Sequence, residues 1–358
     1  MRALVLRTPP PAEGGGGARG FDGIAVAQVP DARAPQRGEI RIAVHAAALN
    51  HLDLFVVEGL PGGSALSFPH VLGADGAGVV DAVGEGVTRV GVGDRVIWNP
   101  GISDYDCEFC RAGEHGLCVR YRLLGEHLPG TIAEFLTLPE QNVARLPVLE
   151  PVLSWSEAAA FSLVTLTAWR MIVTRARVQA GETVLLWGIG GGVSLTAMRI
   201  AQRLGARTIV TSSSDAKLAR ARELGADVTL NHTTQNVAQE VRALTGKRGV
   251  DVVVENVGAA TWADSLRCLA KGGRLVTCGA TSGPMVTMDV RRLFWNQYTI
   301  MGSTMGNARE YAAVVAALGR GELRPVVDRV FPIAEGRSAF EWLARAEHMG
   351  KVVVAVRK

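Results

Sequence analysis

No stretch of this 358-residue chain is apolar for long enough to cross a bilayer. The longest, "AAAFSLVTLTAW" at 158–169, falls short of the roughly 18 residues that a spanning helix requires. The amino end, Met1 and Arg2 followed by "ALVL", lacks the apolar core of a secretory signal. Cysteine is scarce, five residues in all, which does not suggest a disulfide framework. Charge is not gathered into blocks: the net +4 is spread along the chain, without the basic patch of a nucleic-acid binder. These absences argue against a helical membrane span and a disulfide scaffold, and nothing in the charge pattern argues for nucleic acid. They leave an expectation of a soluble, cytoplasmic protein whose mild positive balance suits a small anionic ligand.

What is present is glycine, 42 residues, together with an ordinary globular balance of 48% apolar and 20% charged residues. The length suits about two domains. The first half reads as short strands, "ALVL", "IAVAQV", "EIRIAVHAAAL", "GAGVVDAV" and "DRVIW", separated by Gly, Pro and Asp. "PPPAEGGGGARG" (9–20) reads as a flexible loop by composition. From about residue 156 the rhythm changes. A helix over "SEAAAFSLVTLTAWRMIV", with Ser156 as N-cap, precedes apolar strands that alternate with amphipathic helices. That alternation predicts βαβ units around a parallel sheet buried on both faces.

Within that region "VLLWGIGGGVSLTAMRIAQRLGA" (184–206) places Gly188, Gly190, Gly191 and Gly192, then Val193, between a strand and a helix. Such a turn lets backbone N–H groups and a helix N-terminus approach a pyrophosphate, and its βαβ setting predicts dinucleotide binding. The next strand ends in "TSSSDAK". An NAD site usually carries an acid there for the ribose 2′-hydroxyl. Here Ser212, Ser213 and Ser214 stand in that place, followed by Lys217, and Asp215 reads as a helix N-cap. The missing acid points to NADP(H); the alternative is that the serines simply make the turn.

"SDYDCEFCRAGEHGLC" (103–118) holds Cys107, Cys110 and Cys118. The Cys-x-x-Cys spacing is that of a zinc site, but a closed structural site needs a fourth ligand.

The chain resembles the medium-chain dehydrogenase/reductase superfamily, in its zinc-type alcohol dehydrogenase-like and quinone oxidoreductase-like branches. The resemblance rests on "LGADGAGVVDAVGEGVTRVGVGDRV" (72–96), the cysteine lobe, "GTIAEF" (130–135), "LTAW" (166–169), the glycine turn, "ELGAD" (223–227) and "GKVVVAV" (350–356). It implies an α/β protein with a GroES-like β-rich catalytic domain, 1–155 and 304–358, split around a Rossmann doubly wound parallel sheet, 156–303. An active-site cleft between the two is also implied. The family's structural zinc lobe has four cysteines; the first falls on Asp104 here. A carboxylate is a legitimate zinc ligand, so Asp104, Cys107, Cys110 and Cys118 either hold one structural zinc or mark a lobe that has lost it. The family's catalytic zinc uses a Cys, a His and a third ligand near the start of the cofactor domain. The matching positions here are Asn50 and Ala74, with Asp75 in the place of a family Glu, and "FSLVTLTAW" offers neither Cys nor His. No catalytic zinc is therefore expected. A rebuilt site from His51, Asp53, Asp75 and His127 is the minor alternative.

Zinc-free relatives reduce quinones or conjugated carbonyls, whose developing charge is delocalised. The resemblance thus implies hydride transfer from NADPH to such a small-molecule substrate. Asn50, His51 and Asp53 are the candidates for the pocket, with His51 offering a proton or hydrogen bond; His127 is a weaker one. Thr167 matches a family threonine near the cofactor, and Asn256, Val257, Gly258, Cys278 and Gly279 follow later strands whose carboxyl ends face a cofactor. A metal-rebuilt NADP-dependent alcohol dehydrogenase and a non-enzymatic NADPH-binding protein remain open alternatives. The strand in "QYTIMGST" (297–304) ends the sheet with an open edge, and its pairing across a two-fold axis predicts a homodimer.

Overall fold

A computed structural model describes residues 1–9, 21–59 and 66–357. The loop read at 9–20 falls, from residue 10 onward, outside the described residues. The chain divides into two compact units, Met1–Val164 with Gly306–Lys358, and Thr165–Met305.

The central unit is a six-stranded parallel sheet. Its strands are β1 (Thr183–Leu186), β2 (Arg207–Ser212), β3 (Val228–Asn231), β4 (Val250–Glu255), β5 (Leu269–Thr277) and β6 (Thr299–Gly302), in the spatial order β3-β2-β1-β4-β5-β6. That is the doubly wound order in which the crossing direction reverses between β1 and β4. The strands are near-continuous apolar runs because both faces are covered: Val184, Leu185, Leu186, Ile209, Val210, Val252, Val253 and Val254 are buried. Helix α1 (Gly192–Arg203) buries Leu195, Met198, Ile200 and Ala201. Helices α2 (Asp215–Glu223) and α3 (Val237–Leu244) follow β2 and β3.

The terminal unit is β-rich. Its main sheet orders Val143–Arg145, Arg95–Trp98, Asp75–Val83, Glu39–Ala48, Lys351–Ala355 and Val327–Pro332, with Phe135–Pro139 also pairing Glu39–Ala48. A smaller sheet joins Ile24–Gln28, Arg2–Leu6 and His70–Val71. The register matters for function. Ala48 lies opposite Asp75 on one side and Val353 on the other, so chain segments far apart in sequence end side by side.

The start of the helical region differs from expectation. Ser154, not Ser156, is the N-cap: its hydroxyl accepts from Glu157 N–H (3.2 Å) while the Glu157 carboxylate takes the Ser154 N–H (2.9 Å). This is a reciprocal capping box, and Ser156 falls inside the first turn. The short helix Trp155–Ala159 packs on strands Glu39–Ala48 and Asp75–Val83, so residues 156–164 belong with the terminal unit and not with the central one as expected. Among the described residues, no helix is long and apolar enough to cross a membrane.

Candidate active site and cysteine lobe

In a parallel sheet all carboxyl ends lie along one edge, and the fold brings the glycine turn, the serines and the later loops to that edge. The turn after β1 is tied to β2 by Thr211, whose carbonyl accepts from Ile189 N–H (2.7 Å) and whose hydroxyl accepts from Gly188 N–H (3.2 Å). Gly190 has φ +134°, a conformation that glycine adopts without strain. Gly191 is different. Its φ is −71° and no protein atom lies within 4 Å of where a Cβ would stand. Neither backbone conformation nor packing demands glycine there, whereas close approach by a ligand would. Gly192 and Val193 then open α1. Ser194 donates to the Trp187 carbonyl (2.8 Å) and accepts from the Asn256 amide (3.2 Å), joining the loop after β4 to the turn.

Ser214, not Asp215, is the N-cap of α2. Its hydroxyl accepts from Lys217 N–H at 3.4 Å. Asp215 occupies the first helical position, and its carboxylate accepts from the Asn231 amide (2.7 Å). Ser212 is buried and its oxygen accepts from Ser214 N–H (3.1 Å), while Ser213 is exposed. As acceptors, the hydroxyls of Ser212 and Ser214 keep their protons for donation.

Glu255, at the end of β4, organises the neighbouring loop. Its carboxylate accepts from Val257 N–H (3.2 Å), Gly258 N–H (2.7 Å) and the Thr261 hydroxyl. Burial pushes its pKa up despite these bonds. Desolvation, with Glu255 nearby, pushes the Cys278 thiol up to about 12, so it stays protonated. The Gly279 carbonyl accepts from the Thr277 hydroxyl (3.2 Å). Thr167 is buried and its hydroxyl donates to the Met305 sulfur at 3.7 Å. These contacts leave backbone N–H groups and hydroxyls along that edge, a donor set that fits the phosphates of a dinucleotide.

The terminal unit carries a buried charged cluster. Asn50 precedes the helix His51–Glu58, and its N–H donates to the Asp53 carboxylate at 2.7 Å. Asp75 accepts from Leu163 N–H (2.9 Å), from the Asn50 amide (3.4 Å) and from the Lys351 ammonium (3.4 Å). Lys351 also donates to the Asn50 carbonyl oxygen. Asn50, Asp53, Asp75 and Lys351 are 6%, 2%, 0% and 4% exposed, so the ion pair is sealed from water. Burial pushes Asp53 up to about 7, against the pull of Asn50 N–H and Lys351. Burial also raises Asp75 and lowers Lys351. His51 is the exposed member and meets Phe55 edge-on, with ring centroids 4.9 Å apart. This donor set does not fit a catalytic zinc. An amide and the Ala74 methyl stand at two ligand positions, and the neighbouring carboxylate is neutralised by an ammonium. His127 is held elsewhere, its Nδ1 accepting from Leu123 N–H (3.3 Å).

The cysteine lobe is assembled. One ligand atom from each of Asp104, Cys107, Cys110 and Cys118 lies within 4.8 Å of every other, the one such cluster among the described residues. Asp104 accepts through one oxygen from Asp106 N–H (2.8 Å) and Cys107 N–H (3.0 Å), and these hold its carboxyl well below the usual range. Its second oxygen is buried without a hydrogen bond and faces the Arg120 guanidinium at 2.9 Å. The Cys118 sulfur accepts from Asp104 N–H and Arg120 N–H, both at 3.4 Å. One oxygen and three sulfurs are a donor set that fits zinc.

Residues 36–148 match the alcohol dehydrogenase GroES-like domain, and residues 192–320 match the zinc-binding dehydrogenase family. A zinc-type alcohol dehydrogenase-like protein of Schizosaccharomyces pombe is 32% identical over 89% of this chain and 91% of that protein. The chain belongs to the medium-chain dehydrogenase/reductase superfamily. It is an oxidoreductase of that superfamily, with its GroES-like and Rossmann-like domains. A quinone oxidoreductase of Pseudomonas aeruginosa is 31% identical over 89% of this chain and 92% of that protein. A solved structure described as an NAD-dependent alcohol dehydrogenase is 43% identical, with a TM-score of 0.92 and 99% of both chains covered.

Sequence reasoning missed Lys351, Glu255 and Thr211. Lys351 left a trace: a lone charge opening the apolar strand "KVVVA". Glu255 left a similar one, an acid closing the run "VDVVVE". Thr211 acts through backbone and hydroxyl together and leaves none.

Proposed function

We propose that the protein is an NADPH-dependent reductase that transfers hydride to a quinone or an α,β-unsaturated carbonyl compound without a catalytic zinc. The observation that carries this reading is the Asn50–Asp75–Lys351 cluster, in which Asn50 stands where the family resemblance implies a cysteine ligand and is held by a buried ion pair. With no Lewis acid there, an isolated alkoxide would be poorly stabilised, whereas a conjugated acceptor spreads the developing charge. Bound at the glycine turn, NADPH would supply the hydride. Gly188, Gly190, Gly191, Gly192 and Val193 would hold its pyrophosphate, and Ser212, Ser213, Ser214 and Lys217 its 2′-phosphate. Thr167, Asn256, Val257, Gly258, Cys278 and Gly279 would line the remainder. In the terminal unit, exposed His51 would donate to the substrate oxygen, and buried Asn50 and Asp53 would fix the start of its helix. The cysteine lobe would hold one structural zinc.

A second reading, oxidation of an alcohol with NAD, is favoured by the likeness to the NAD-dependent alcohol dehydrogenase structure. A turnover panel of quinones, enones, aldehydes and alcohols with both cofactors separates the two. Faster reduction of quinones or enones with NADPH supports the proposal. Equal affinity for NADH and NADPH, with turnover confined to alcohols and aldehydes, overturns it.

The proposed assembly is a homodimer. Among the described residues strand β6 pairs only with β5, and its other edge is open. In the segment leading into it Met285, Val290, Phe294 and Trp295 are 84%, 60%, 61% and 76% exposed, apolar side chains that a second copy would cover.

A further inference from the structure

We infer that the central unit carries a second anion site, at the opposite edge of the sheet from the glycine turn. A cavity of about 330 Å³ opens at the amino ends of β4 and β5. It is lined by Arg242, Lys247, Arg248 and Lys271, with Asn296, Leu269 and Ala270. No acidic residue lines it. Because parallel strands place all carboxyl ends on the other edge, this cavity is separate from the dinucleotide cradle.

Arg242 gives the site its fixed charge. All five of its N–H groups are used, and every acceptor is a backbone carbonyl. Nε donates to Arg267 (3.2 Å), Nη1 to Lys247 and Arg248 (2.8 Å each), and Nη2 to Arg267 (2.8 Å) and Leu269 (3.0 Å). The guanidinium is thus rigidly held but has no carboxylate partner among the described residues. Arg248 is neutralised by Asp251, and Arg267 next door by Asp264. Lys247 and Lys271 have no ion pair among the described residues, so the cavity keeps three cations without a carboxylate partner, Arg242, Lys247 and Lys271.

Their placement follows from two local irregularities. Lys247 is held at φ +69° in the turn that closes α3, where its N–H donates to the Arg242 carbonyl (2.6 Å). Lys271 sits in an excursion of β5: the pairing with β4 skips from Leu269 to Arg274, and the Gly272 N–H is taken by the Asn296 carbonyl (2.7 Å). Such bulges re-aim a side chain, and here the result is a lysine on the cavity wall. Three positive charges around a volume of this size suit a small multivalent anion, of the class of phosphate esters and diphosphates. Two mobile ammonium groups would close on an oxyanion already attracted by a fixed guanidinium.

The test uses isothermal titration of the full-length protein with inorganic pyrophosphate, at constant ionic strength, first alone and then saturated with NADPH. The expected result is one saturable site that persists in the cofactor-loaded protein. In Lys247→Gln/Lys271→Gln, two exposed positions, that site should weaken at least about tenfold, the scale of one charge-assisted hydrogen bond, with NADPH affinity unchanged. Three results overturn the inference: no saturable binding, binding that survives unaltered in the double variant, or binding that vanishes once NADPH is present. The last would place pyrophosphate in the cradle instead. If NADPH itself fails to bind, the proposed cofactor is wrong, but the titration of the protein alone and of the double variant still decides this site.

Discussion

Replacing Lys351 by methionine keeps most of the side chain's length and removes its charge. The native ammonium lies 3.4 Å from Asp75 and contacts Asn50, with all three groups sealed from water. Removing one partner of a buried ion pair leaves an uncompensated charge, a loss of about 3–5 kcal/mol. At roughly 2–4 °C per kcal/mol for a unit of this size, the melting temperature should fall by about 6–20 °C near pH 8. The pH dependence distinguishes this cause from lost packing. In the native protein burial pushes Asp53 from 3.8 up to about 7, so the folded state holds a proton that the unfolded chain has released. The contribution of that group is full below about pH 4 and falls as pH rises through about 7. Without Lys351 the two carboxyls should take up protons still more readily. The deficit of the variant should therefore be small at pH 5 and grow toward pH 8. Adding Asp75→Asn should recover at least half of the loss at pH 8. Thermal denaturation at pH 5, 6.5 and 8 measures all three. Equal deficits at every pH, or a loss below about 1 kcal/mol, would refute the electrostatic account.

Gly191→Val should leave the melting temperature within about 2 °C, since nothing occupies the space of its side chain, but weaken cofactor binding at least tenfold by titration; unchanged affinity would remove the cradle argument. Zinc-supplemented protein should carry one zinc ion per chain by elemental analysis, Cys110→Ser should lose it, and Asp104→Cys should hold it against stronger chelators; metal-free protein after supplementation would show a lobe held by packing alone. Phe294→Glu/Trp295→Glu should shift sedimentation from dimer to monomer at micromolar concentration, and a native monomer would dispose of the proposed assembly.

Local signals carried the cofactor cradle. Gly188 to Gly192, the three serines and the strand–helix rhythm each act within a few residues, because a tight turn or a helix start is a short-range matter. The cysteine lobe was legible for the same reason: Cys107, Cys110 and Cys118 lie close in the chain, and the family resemblance added Asp104 as the fourth candidate. Helix starts were legible only to within a residue or two. Ser154 and Ser214 took the N-caps expected of Ser156 and Asp215, because the cap goes to whichever side chain reaches the free N–H groups.

By itself, then, the sequence determined the two-part architecture, the dinucleotide turn and the absence of the usual catalytic ligands at positions 50 and 74. Only the tertiary structure decided what stands there instead. Lys351 is 301 residues from Asn50 in the chain and meets it through the pairing of Ala48 with Val353 and of Ala48 with Asp75. The cations of the second cavity likewise converge from a helix end, a turn and a strand excursion. Contacts of that kind are set by register and strand order, which depend on how the whole core packs: the lone charge opening "KVVVA" shows that Lys351 is unusual, but not which residues it meets.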